Sequence, residues 1–140
     1  MIYPIVIHKD PDTSYGVTVP DLPGCFSAGD TMEEALKNAV EAIECHVEGI
    51  LLDNELLPVG KAIEEYIDLV DYQGGTWAIV DVDLSRLGGE TQRINISMAE
   101  RILGKIDTFA KNSNKTRSKF LADAALEYIA VHDRDNSSNL

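Results

Sequence analysis

Arg93, Asn95 and Ser97 sit two apart in the stretch Thr91–Met98, and Ile94, Ile96 and Met98 alternate with them. On an extended backbone that spacing sends the polar trio to one face and the apolar trio to the other. The chemistry such a face can do is hydrogen bonding to base edges. An arginine fork matches guanine, an asparagine amide matches adenine, and a serine hydroxyl serves several bases. Some twenty residues on, Lys115, Thr116, Arg117, Ser118 and Lys119 surround the start of a helix. Free backbone N–H groups, the positive end of the helix dipole and three cations suit a phosphate oxygen. Each feature also has a plainer reading: the polar trio as the solvated side of an edge strand, the basic run as an ordinary capped helix.

Bond-making chemistry finds less support. Asp81 and Asp83 are two apart in an expected strand and would share a side; Asp10, Asp21, Asp30 and Asp71 complete a pool of carboxylates from which a Mg²⁺-dependent nuclease site would be drawn. The reading adopted is that Asp81 and Asp83 face solvent and alternate with buried Val80 and Val82. His8, His46 and His132 form no motif, and Cys25 and Cys45 lack metal-ligand spacing. There is no Gly-rich phosphate loop, nucleophile elbow or zinc spacing. The expectation is a protein that is not an enzyme and uses no metal or cofactor.

Charge divides the chain. Residues 1–90 carry 4 Lys+Arg against 18 Asp+Glu, whereas residues 91–131 carry 7 against 4. An acidic module followed by a basic one points to two partners of different kind. No apolar run is long enough for a membrane span, and the start resembles a strand and not a signal peptide, so the expected setting is cytoplasmic with reduced thiols.

The elements that must position these residues follow from periodicity. Ile2–His8, Tyr15–Val19 and Cys25–Gly29 read as strands separated by turn chemistry. Thr31 opens a helix through a capping box with Glu34, and Met32, Leu36, Ala39, Val40, Ile43, Val47, Ile50 and Leu51 form its apolar face, ending at Asp53-Asn54. A loop over 56–60 and a helical turn near 61–66 lead to an ambiguous stretch, 67–70. Thr76–Leu84 is strongly β, and 85–90 reads as a linker. Beyond the opening stretch come a helix from Ala99 to Lys111, a turn in which Asn114 can take positive φ, and a helix from Arg117 to about Val131 capped by Thr116. Residues 132–140 are polar and are expected to be disordered. One strand and two short helices cannot close a core alone. The segment asks for a second copy, with Ile94, Ile96, Met98, Ile102, Ile106, Phe120 and Leu121 forming the shared dimer core. Two such strands paired antiparallel make a ribbon that fits the DNA major groove.

Strand, helix, Asn-containing turn and capped basic helix, in that order, resemble the ribbon-helix-helix DNA-binding family. The resemblance rests on Gln92–Met98, the helix from Ala99 and Asn114–Ser118. It implies that Arg93, Asn95 and Ser97 read bases and that the turn anchors the DNA backbone. Ile2–Ile7, Tyr15–Cys25, Gly29-Asp30-Thr31 and the long helix after them resemble the HicB antitoxin family; Trp77–Asp83 running into a ribbon-helix-helix tail resembles its longer form. That likeness implies an α+β protein: residues 1–90 form a partial RNase H-like module that masks a HicA-like mRNA-cleaving toxin, and residues 91–131 dimerise, possibly into a higher oligomer, and repress the operon at operator DNA. On that footing Asp21, Leu22, Pro23 and Phe26, with the acidic helix, are the candidate toxin contacts. The alternative kept open is a stand-alone ribbon-helix-helix regulator whose first module senses a ligand.

Overall fold

The computed structural model describes residues 1–137. Its elements are strands β1 (Ile2–His8), β2 (Tyr15–Thr18) and β3 (Phe26–Gly29), helix α1 (Met32–Leu52), strand β4 (Thr76–Asp81), and helices α2 (Glu100–Asn112) and α3 (Arg117–Ser137). They fall into two compact units, Met1–Val82 and a second beginning at Asp83. The division comes ahead of the one expected after Glu90. Val82 is still tied to the sheet, because its N–H donates to the Met1 carbonyl at 2.8 Å and its carbonyl accepts from the Met1 nitrogen at 2.9 Å. Asp83 instead caps a 3₁₀ turn, Leu84–Arg86, that packs on α3.

The first unit is a four-stranded antiparallel sheet in the order β3-β2-β1-β4. β1 is central and buried on both faces, with Tyr3, Ile5 and Ile7 on one and Pro4 and Val6 on the other. A proline fits there for a local reason. Met1 and Val82 exchange backbone bonds, so alternate residues Tyr3, Ile5 and Ile7 bond toward β4. Pro4 faces the other way, and β2 pairs with β1 only from Val6 onward. The missing N–H is therefore not needed.

α1 follows the sequence at its cap, while of the expected apolar face Ala39, Ile43 and Val47 are buried and Met32, Leu36, Val40, Ile50 and Leu51 are half-buried. Thr31 Oγ1 accepts the Glu34 N–H at 3.1 Å. The Glu34 carboxylate reaches back at 2.9 Å to the N–H of Asp30, one residue before the cap's own N–H that a capping box uses. Ala35, Ala39, Ile43 and Val47 are buried at i, i+4 spacing, and the helix lies over β3 and β2. Gly29 permits that approach: a Cβ there would overlap the backbone of Ala35. The helix ends at Leu52, followed by Asn54 at φ 55°.

The stretch between α1 and β4, ambiguous over 67–70 from sequence, is a strap of two 3₁₀ turns, Ile63–Glu65 and Val70–Tyr72. The Tyr3 hydroxyl pins its start by donating to the Pro58 carbonyl at 2.8 Å. Buried Asp21 then latches it. Its carboxylate accepts the Lys61 N–H at 3.2 and 3.3 Å and the Tyr66 hydroxyl at 2.6 Å. The Tyr66 ring stacks on Trp77 with centroids 6.4 Å apart, and Tyr72 meets both rings edge-on. These three rings join the strap to β4.

Burial, and next the hydrogen bond to Asp21, push the Tyr66 hydroxyl well above its ordinary value. A raised folded-state value means that its contribution to stability is complete below the ordinary tyrosine value of about 10 and is lost as pH rises past it. The stability difference between wild type and Tyr66→Phe, from denaturant titrations, is therefore expected to be constant up to about pH 9 and to shrink above about pH 10.

The second unit holds α2 and α3. α3 runs to Ser137, past His132, where a disordered tail was expected; residues 138–140 of that tail lie outside the described residues. Among the described residues no helix is long and apolar enough to cross a membrane.

Candidate nucleic-acid- and partner-binding surfaces

Residues 91–99 form no strand in the single chain. The alternation is present, but a strand is completed by a ladder to a neighbour, and among the described residues this segment has none. Arg93, Asn95 and Ser97 are exposed, as base-reading residues must be. Their apolar counterparts are exposed too: Ile94 is 69 % and Ile96 62 % accessible, and Met98 and Ile102 join them. These four of the seven expected core residues thus form no core within one chain. Ile106, Phe120 and Leu121 are half-buried, with Phe120 against Phe109 at 5.4 Å between centroids.

The turn between α2 and α3 matches expectation. Asn114 adopts φ 53°, and the Lys115 N–H returns to the Ala110 carbonyl at 2.8 Å. Thr116 caps α3, its Oγ1 accepting the Lys119 N–H at 3.1 Å. The cations around this cap are placed less simply than their sequence suggested. Lys115 and Lys119 turn inward: their side chains are only 18 % and 12 % accessible, and their ammonium groups lie 3.0 and 3.4 Å from the buried carboxylate of Asp123. Arg117 stays exposed and is gripped by Asp107, which accepts from its Nε and Nη2 at 2.8 Å each. That fork holds the Asp107 carboxyl below the usual carboxylate range. Ser118 is exposed beside it.

Sequence reading missed both acidic partners. Asp123 lies at i+4 from Lys119, a helical spacing visible in the sequence. Asp107 is on a different helix from Arg117, so that pairing needed the packed structure.

On the first unit, two of the four candidate toxin contacts require correction. Asp21 and Leu22 are buried. Asp21 is the latch of the strap and Leu22 is core, so neither offers a surface to a partner; Pro23 and Phe26 are exposed. On α1 Glu41 is exposed, whereas Glu44 and Glu48, whose spacing also sets them off the apolar face, are half-buried.

Three of the carboxylates considered for a nuclease site, Asp21, Asp30 and Asp83, serve local structure. Asp21 holds the strap, and Asp30 accepts the Ser14 hydroxyl at 2.9 Å. β4 ends at Asp81, so Asp83 is not on the strand. It accepts the Ser85 hydroxyl at 2.6 Å and the Ser85 N–H at 3.1 Å. The hydroxyl bond leads in holding its carboxyl below the ordinary value. Among the described residues no three His, Cys, Asp or Glu side chains are grouped to hold a metal ion. Cys25 and Cys45 are unbridged, and burial raises the Cys25 thiol.

Comparison with known proteins places these surfaces in context. The family profile described as HicB-like antitoxin of bacterial toxin-antitoxin systems matches residues 3–125. An uncharacterized 14.9 kDa protein of Haemophilus phage HP1, from the rep-hol intergenic region, is 48 % identical over 127 residues, 89 % of this chain and 95 % of that protein. The crystal structure of the Burkholderia pseudomallei antitoxin HicB is 45 % identical with a TM-score of 0.79, over 92 % of this chain and 98 % of that one. A chain of a HicA3–HicB3 toxin-antitoxin complex is 37 % identical with a TM-score of 0.50, over 59 % of this chain and 99 % of that one.

Proposed function

Since the chain belongs to the family of HicB-like antitoxins of bacterial toxin-antitoxin systems, we propose that its first unit binds and neutralises a HicA-like mRNA-cleaving toxin, and that its second unit, as a ribbon-helix-helix dimer, binds operator DNA and represses its own operon. The toxin half is supported by the likeness to a chain of a HicA3–HicB3 complex and by the acidity of residues 1–90. The protein acts by occupying surfaces and catalyses nothing.

The observation that carries the DNA half is the exposed alternation at 91–98. Ile94 and Ile96 stand in solvent in one chain, and a second copy of the same segment would cover them while completing the missing ladder. That pairing turns Arg93, Asn95 and Ser97 outward together on a ribbon of groove width. Arg117, Thr116 and Ser118 at the start of α3 then supply phosphate contacts, while Lys115 and Lys119, two cations on the one carboxylate of Asp123, leave a net positive charge beside them.

Two measurements test this. Co-expression with a small protein encoded in the adjacent reading frame should yield a co-purifying complex that relieves growth arrest. Arg93→Ala should weaken binding to DNA from upstream of the gene by about 1–3 kcal/mol and relax preference at one base position. Unchanged affinity for both that DNA and a random duplex in mobility-shift titrations would sink the base-reading assignment.

A further inference from the structure

The strap contains an exposed surface that its own packing does not explain. From Ala62 to Ser85 the chain has no lysine or arginine, and Glu64, Glu65, Asp68 and Asp71 crowd its first half. Among them Ile67, Leu69 and Val70 point into solvent, Val70 being 84 % accessible. Three exposed aliphatic side chains interleaved along the chain with exposed carboxylates have the make-up of an interface centre with a polar rim.

The surface is also held rigid. The Asp21 latch and the packed rings of Tyr66, Tyr72 and Trp77 hold the strap in place. The Leu69 and Tyr72 N–H groups close the turns on the carbonyls of Tyr66 and Leu69. The Gln73 side-chain amide donates to the carbonyls of Ile67 and Leu69 at 3.2 and 3.4 Å. Aliphatic groups already fixed in place lose little conformational freedom on binding.

We propose that Glu64–Asp71 is the surface on which the first unit docks its protein partner, a Lys/Arg-rich face that seats an apolar contact on Leu69 and Val70 and pairs its cations with Glu64, Asp68 and Asp71. This inference rests on the toxin-binding reading above and names the surface that reading leaves open. The charge pattern selects this occupant. A second copy meeting the patch about a two-fold axis would set the same carboxylates against each other, with no cation in the stretch to separate them.

The test is calorimetric titration of the chain of residues 1–140 with a purified HicA-like toxin. Val70→Asp and Asp68→Lys should each weaken binding by about 10-fold or more, as changes at the centre of an interface do. Glu55→Lys, the same charge reversal at an exposed position beyond the end of α1, should weaken it by less than about 3-fold, as rim and remote charges do. Because Val70 and Asp68 are exposed, thermal melts of the two strap variants should overlay wild type. Equal losses from Glu55→Lys and Asp68→Lys would reduce the effect to net charge and overturn the assignment, as would unaltered binding by Val70→Asp. A smaller mass for Val70→Asp by light scattering would show that a second copy covers the strap, and would also overturn it. A wild-type chain that binds no such toxin would remove the toxin-binding reading itself, and the docking surface with it.

Discussion

Ile96→Asp is expected to leave the first unit folded and to abolish both dimerisation through residues 91–98 and DNA binding. Ile96 is 62 % accessible in the single chain, so the change costs the protomer little. In a paired ribbon the same position lies at the shared centre, beside Ile94 and Met98 and their copies. Two aspartates there would be buried without partners, and burying even one unpaired charge costs several kcal/mol. The dimer population should collapse, and apparent affinity for upstream DNA should fall by about 100-fold or more, since one half-ribbon loses half its base and phosphate contacts. Sedimentation or light scattering reads the mass, and mobility shift reads the affinity. Toxin binding should survive, because the docking surface proposed for it lies in the other unit. A dimeric variant with intact DNA binding would refute the ribbon.

Asp21→Ala is expected to do the opposite, damaging the first unit and its partner binding while sparing the second. Its carboxylate is the only side chain among the described residues given a bond to both the Lys61 N–H and the Tyr66 hydroxyl. Hydrogen bonds to a charged acceptor contribute about 1.5–3 kcal/mol each, so losing both should lower unfolding stability by about 3 kcal/mol or more. The larger effect is local. Without the latch, Tyr66 is no longer held against Trp77, and the turns carrying Leu69 and Val70 loosen. Toxin affinity should then drop even in conditions where the variant stays folded, while Ile96-dependent dimerisation is unchanged. Hydrogen exchange over 61–73 that stays as slow as in wild type would contradict the latch.

Much of the fold was legible because its signals are local. The cap at Thr31, the helical spacing of Ala39, Ile43 and Val47, the apolar run of β1 and the positive φ of Asn114 each follow from a few neighbouring residues. The strap was not legible for the opposite reason. Its 3₁₀ turns are short, carry no period, and take their shape from Asp21, forty residues earlier, and from Trp77 after them. The same reach misled the choice of partner contacts. Asp21 and Leu22 looked like an exposed turn before Pro23-Gly24, but a turn whose acid is needed inside cannot also face outward. At the second unit, residue types suggested a basic helix start, and only the packed helices show the acids Asp123 and Asp107 beside its cations.

Those answering acids set the character of any encounter with DNA. Lys115, Lys119 and Arg117 already hold protein carboxylates where solvent ions would otherwise gather. A phosphate arriving at the start of α3 exchanges one anion for another and sets few condensed counterions free. The grip on the duplex should therefore depend on ionic strength less steeply than a count of its lysines and arginines implies, leaving discrimination to the hydrogen bonds made by the ribbon.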